Sequence, residues 1–153
     1  MLRRLQSISG KNIDAQKTAA VAMTRGMMVQ KHATNGTAIL PASQINLFLV
    51  DKDIQPTGLM AYEGEISDYD SRMNAIAQGD YVLLEKPMIG ERWATDMYVS
   101  TSLVAGCYAE VSTTADATQG KMIYKSSASE FLYIGTIVDG THTLAVFEVL
   151  API

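Results

Sequence analysis

Residues 132–150, LYIGTIVDGTHTLAVFEVL, decide the fold class. Two runs rich in β-branched and aromatic side chains, 132–138 and 141–150, flank Asp139-Gly140. That dipeptide tolerates the positive φ angles of a two-residue turn between antiparallel strands. A C-terminal β-hairpin is therefore expected. Upstream, the same alternation of short apolar runs and turn residues continues. Strands are expected over 27–31, 37–40, 46–52, 81–85, 93–101, 108–113 and 122–125, bounded by Asn35-Gly36, Pro41, Pro56, Gly58, Gly79, Pro87, Gly90 and Gly120. Helix-length amphipathic periodicity is absent after residue 30, apart from a turn near 71–77. Eight or nine short strands predict an all-β fold, an antiparallel β-barrel or β-sandwich.

Composition agrees. The chain has 153 residues, 48% apolar and 18% charged, with a mean hydropathy of +0.08. That is enough for one hydrophobic core and too apolar for a disordered chain. One cysteine excludes an intrachain disulfide framework, and it suits a reducing compartment. No apolar run approaches the roughly 18–20 residues that span a bilayer as a helix. The opening MLRRLQSISGKN lacks the apolar core of a secretory signal and fits an organellar transit peptide only loosely.

Charge is unevenly spread. Residues 1–31 hold six basic side chains and one acid, a net +5, whereas the remaining 122 residues carry −9. A basic end on an acidic body implies that the end meets an acidic surface: its own body, a neighbouring subunit or a nucleic acid. No aromatic residue interleaves with these bases, which disfavours nucleic acid. Residues 1–26 are read as a basic N-terminal arm and 27–153 as the β domain. The arm is expected to be extended or partly helical, with a short helix over 14–24 capped by Asp14 and ended by Gly26. Exposed ion pairs contribute about 0–1 kcal/mol each, whereas ordering backbone costs about 1–2 kcal/mol per residue. The arm therefore also needs apolar anchors. Its expected partner-binding residues are Leu2, Arg3, Arg4, Leu5, Ile8, Lys11, Ile13, Lys17 and Arg25.

Catalytic and metal motifs are not found. His32 and His142 stand apart, with no HExxH or CxxC spacing near them. Cys107 lacks a local activating signature and reads as a small buried hydrophobe. The acids Glu63, Glu65, Asp68 and Asp70 depart from the calcium-loop pattern and read as a solvated loop or an acidic docking face. No glycine pattern cradles phosphate, and no GxSxG elbow occurs. The eleven aromatic residues read as core and cross-strand packing, with a ligand-stacking platform as the alternative. No cofactor and no enzymatic activity are expected.

Gly79-Asp80-Tyr81-Val82-Leu83-Leu84, Gly90-Glu91-Arg92-Trp93-Ala94-Thr95-Asp96, Gly106-Cys107-Tyr108-Ala109-Glu110-Val111, Gly120-Lys121-Met122-Ile123-Tyr124 and Tyr133-Ile134-Gly135-Thr136-Ile137-Val138 form a succession of glycine-started strands. This half of the chain resembles the capsid decoration (cement) and head structural proteins of tailed bacteriophages. The resemblance lies in turn-and-strand texture rather than signature residues. It implies a compact β fold and a non-enzymatic role at the capsid surface, assembled in the host cytoplasm. The implied partners are the major capsid protein and further copies of the chain, such as a homotrimer, without membrane. The longer basic N-terminal segment departs from the simplest decoration domains and leaves a tail or head-fibre role open. A rival from another class is a small-ligand-binding barrel, which requires a deep apolar cavity lined by Trp93 and tyrosines.

Overall fold

The computed structural model describes residues 1–7, 13–52 and 74–153. Strands make up about half of the described residues. In chain order they are β1 (Leu2–Gln6), β2 (Ile13–Ala19), β3 (Met23–Thr24), β4 (Met28–Lys31), β5 (Thr37–Ile39), β6 (Leu47–Asp51) and β7 (Ala75–Ile76). They continue as β8 (Tyr81–Glu85), β9 (Arg92–Thr95), β10 (Tyr108–Val111), β11 (Met122–Lys125), β12 (Phe131–Asp139) and β13 (His142–Val149).

Two layers result. One is a six-stranded sheet in the order β1-β9-β13-β12-β10-β11, and the other is a closed barrel of β2-β5-β4-β6-β8. β3 and β7 form a separate ribbon. All pairings are antiparallel except β2 with β5. The all-β expectation holds, as barrel and open sheet together.

The alternation of side chains explains how the layers join. On β4 and β6, Met28, Leu47 and Leu49 turn towards the sheet and pack with Leu2, Trp93, Phe131 and Phe147. The neighbouring Val29 and Val50 turn the other way and fill the barrel with Ala38, Val82 and Leu84. The continuous apolar run LFLV in β6 is thus buried on both faces. Trp93 stands edge-on to Phe131, with ring centroids 5.9 Å apart, and tilted against Phe147 at 6.2 Å.

Three expectations are corrected. Residues 14–24 do not form a helix: Ile13–Ala19 is a barrel strand between β5 and β8. Its alanines favour a helix only weakly in so short a segment, and pairing on both sides overrides that preference. Asp14 accepts the Gln16 N–H at 3.0 Å within this strand. The boundary at residue 26 is not a division of the fold either, because β1 belongs to the six-stranded sheet and β2 closes the barrel. Finally, the strand expected over 93–101 ends at Thr95. There the Thr95 hydroxyl donates to the Gly26 carbonyl at 3.2 Å and accepts the Met97 N–H at 3.0 Å, which turns the chain.

The C-terminal hairpin forms with its turn one residue later than expected. Asp139 pairs with His142, so Gly140 and Thr141 are the central residues. Gly140 has φ 61°. A glycine first in the pair is the type II′ pattern, which suits the twist of the strands.

Candidate functional site at the barrel mouth

The expected partner-binding residues are used mostly within the chain itself. Leu2 is buried in the core between the layers. Arg3 pairs with Asp139 at the hairpin end, and Arg4 pairs with both Asp51 and Glu85 of the barrel. Arg25 reaches Asp51 at 2.5 Å. Asp51 and Glu85 are each only 3% exposed, so the cluster Arg4–Asp51–Arg25–Glu85 is an ionic joint between sheet and barrel. Burial works against the Arg4 charge, but the two carboxylates outweigh it and raise its pKa. Lys17 lies in β2 opposite Val82. Leu5 and Ile13 are exposed. Ile8 and Lys11 lie outside the described residues, as do Glu63, Glu65, Asp68, Asp70 and residues 71–73 of the turn expected near 71–77.

The candidates for chemistry have structural partners. The Nδ1 of His32 accepts the N–H groups of Thr34 and Asn35, each at 3.2 Å, and so closes a turn. His142 opens β13 on the hairpin. Cys107 packs against the core between the layers. Trp93 is enclosed by phenylalanines, while Tyr81, Tyr108 and Tyr124 are exposed on separate strands. These aromatics do not converge on a cavity. Among the described residues, no group of three His, Cys, Asp or Glu side chains is placed to hold a metal ion.

The site that sequence reading missed lies at one end of the barrel. Phe48 faces the barrel side from β6 and packs on its core. Its neighbours in the barrel order are β4 and β8. Lys31, at the end of β4, sets its Nζ 4.2 Å from the Phe48 ring centroid, and Lys86, just past β8, sets its Nζ 5.0 Å away. Both are within cation–π range, and their stems cover the ring. Asp14 of β2 pairs with Lys31 at 2.8 Å. That hydrogen bond, followed by the one from Gln16, holds the Asp14 carboxyl below the usual carboxylate range. Burial, with repulsion from Lys31 added, pulls the Lys86 ammonium below the usual lysine range. This mouth therefore holds two ammonium groups, one carboxylate and an aromatic floor.

An open apolar recess of about 300 Å³ adjoins it, lined by Lys86, Pro87, Met88, Ile89, Pro152 and Ile153. Met88 is 39% and Ile89 53% exposed. The loop that carries them is fixed at both ends: Gly90 N–H donates to Val149 at 2.8 Å, and the Glu91 carboxylate accepts the Met88 N–H at 3.0 Å. Lys86 donates to the main-chain oxygen of Ile153. The recess thus presents apolar side chains on a held backbone. Such an arrangement can pack against an apolar surface.

Comparison with protein families, curated proteins and solved structures returned no match.

Proposed function

We propose that this protein is a non-enzymatic structural component of a virion, a capsid decoration (cement) protein that holds neighbouring protein subunits together at the head surface. The observation that carries the reading is the barrel-mouth corner, where Met88 and Ile89 are exposed on a backbone tied to β13. Exposed apolar groups on a pre-ordered loop lose little conformational freedom on docking. The glycine-started strands that resemble phage head proteins supply the class of partner. The docking element is the folded body, because the arginines of the N-terminal segment are engaged by Asp51, Glu85 and Asp139. A stable contact of this kind buries roughly 800 Å² on each partner. Cosedimentation of the purified protein with undecorated tailed-phage heads tests the reading. Saturable pelleting with the heads is expected, and protein that stays in the supernatant at all ratios overturns it.

A further inference from the structure

We infer that Asn35 is a site of spontaneous backbone modification, where asparagine converts to isoaspartate and aspartate, and that the isoaspartyl product loosens the seam at which β5 closes the barrel. The inference stands apart from the proposed structural role and makes no use of the barrel mouth.

A free nucleophile and a free electrophile stand side by side in the turn from β4 to β5. Residues 33–36 are exposed. The Nδ1 of His32 takes the N–H groups of Thr34 and Asn35, and the His32 N–H donates to the Thr37 carbonyl at 2.8 Å. These bonds hold the turn. Among the described residues they leave the Gly36 N–H without an acceptor and the Asn35 carboxamide without a partner. Gly36 has φ +64°, and a Cβ built there would meet nothing within 4 Å. No side chain shields its nitrogen, and the conformational freedom of glycine lets that nitrogen swing towards the Asn35 side chain. The other three asparagines differ. Asn12, Asn46 and Asn74 each precede the first residue of a strand, Ile13, Leu47 and Ala75. There the following nitrogen is crowded by its own side chain, and its backbone is fixed by pairing with Glu85, Gln30 and Thr24 respectively.

The chemistry needs only water. The Gly36 nitrogen loses its proton to solvent and attacks the side-chain carbonyl carbon of Asn35. The new C–N bond closes a cyclic imide, the bond to the carboxamide nitrogen breaks, and that nitrogen leaves as ammonia with a proton regained from solvent. Water then adds to one imide carbonyl and breaks its bond to the Gly36 nitrogen, which recovers its proton. Opening at the side-chain carbonyl gives aspartate. Opening at the main-chain carbonyl gives isoaspartate, in which the chain runs through Cβ. In sum, a carboxamide and a water become a carboxylic acid and ammonia, and nothing is oxidised or reduced.

Isoaspartate adds a methylene to the main chain directly before Gly36. The Gly36 carbonyl accepts the Thr18 N–H at 3.4 Å, and β5 meets β2 only at Thr18–Thr37 and Ala19–Ala38. A seam this short has few bonds to spare, so displacement of that carbonyl frees the Thr18 amide.

The test ages the purified full chain in mildly alkaline buffer at physiological temperature, beside the synthetic peptide HATNGTA. Peptide mapping with isoaspartate-specific methylation should find conversion at Asn35 at least fivefold faster than at Asn12, Asn46 or Asn74. In the separated isoaspartyl fraction, hydrogen exchange at the Thr18 amide should be at least fivefold faster than in fresh protein. Asn35→Gln keeps the carboxamide but closes the imide poorly, and its Thr18 amide should not change on ageing. An Asn35 still intact in the folded chain when the peptide has converted overturns the inference, because the turn then protects it. Conversion spread evenly over the four asparagines overturns it too, as does an isoaspartyl fraction whose Thr18 amide exchanges as in fresh protein.

Discussion

Replacing Arg4 by Met removes the guanidinium from between Asp51 and Glu85 and keeps most of the side-chain volume. In the native chain Arg4 meets Glu85 through Nε at 3.2 Å and pairs with both carboxylates through Nη2. Asp51 keeps Arg25 and the Lys52 N–H after the change, and Glu85 loses its contacts with Arg4. Removing one partner of a fully buried pair costs about 3–5 kcal/mol, because the remaining charge is left uncompensated. The Arg4 side chain is 38% exposed, and solvent screens its part of the interaction. We therefore expect a loss of about 2–3 kcal/mol, below the range for a fully buried pair. For a chain of this size each kcal/mol lowers Tm by roughly 2–4 °C, so the melting point should fall by roughly 4–12 °C. The single tryptophan, Trp93, lies in the core between the layers and reports the transition by fluorescence in urea. Adding Glu85→Met to Arg4→Met should recover part of the loss, since an apolar pair replaces a buried carboxylate that has lost the Arg4 guanidinium. An Arg4→Met protein within 0.5 kcal/mol of wild type, which is the ordinary range of a surface substitution, would refute the reasoning.

Further outcomes follow from the same geometry. Gly26→Ala should cost more than 2 kcal/mol, since Gly26 has φ +93° and an added Cβ would lie 2.3 Å from the Thr95 hydroxyl; urea midpoints check this. Phe131→Ala should cost about 3–5 kcal/mol by opening a cavity beside Trp93, read from the same unfolding curves. Deleting residues 1–26 should abolish cooperative unfolding and the dispersed amide spectrum, because β2 closes the barrel and β1 edges the sheet; a folded truncated body would contradict this. The depressed Lys86 ammonium predicts a pH effect. Between its lowered folded pKa and the ordinary value of 10.5, the unfolded chain binds more protons, so this group makes stability rise with pH there. Lys86→Met should flatten that alkaline slope, measured as urea midpoints from about pH 8 to 10.

Much of the fold could be read from residue order. The hairpin over β12 and β13, the two-sided burial of LFLV and the glycine-bounded strands follow from alternation and turn chemistry, which are local. The N-terminal segment was harder to read because its partners are remote. IDAQKTA carries helix formers and only modest β preference, and its strand state comes from β5 and β8 pairing on either side. The charge imbalance is visible and reads as a grip on an outside partner, whereas Arg3, Arg4 and Arg25 meet Asp139, Asp51 and Glu85 of their own body. Lys31, Phe48 and Lys86 lie far apart in sequence with no motif among them. Only the β4-β6-β8 order brings them to one ring, so no pattern in the chain could have announced the mouth.

Hydrogen exchange on the dilute, isolated protein tests most directly whether the N-terminal segment is built into its own body. The amides of β1 and β2 that pair with β9 and β8 should be protected with free energies near those of their partner strands. Exchange of both segments at unfolded-chain rates, while β9 and β8 stay protected, would contradict the account.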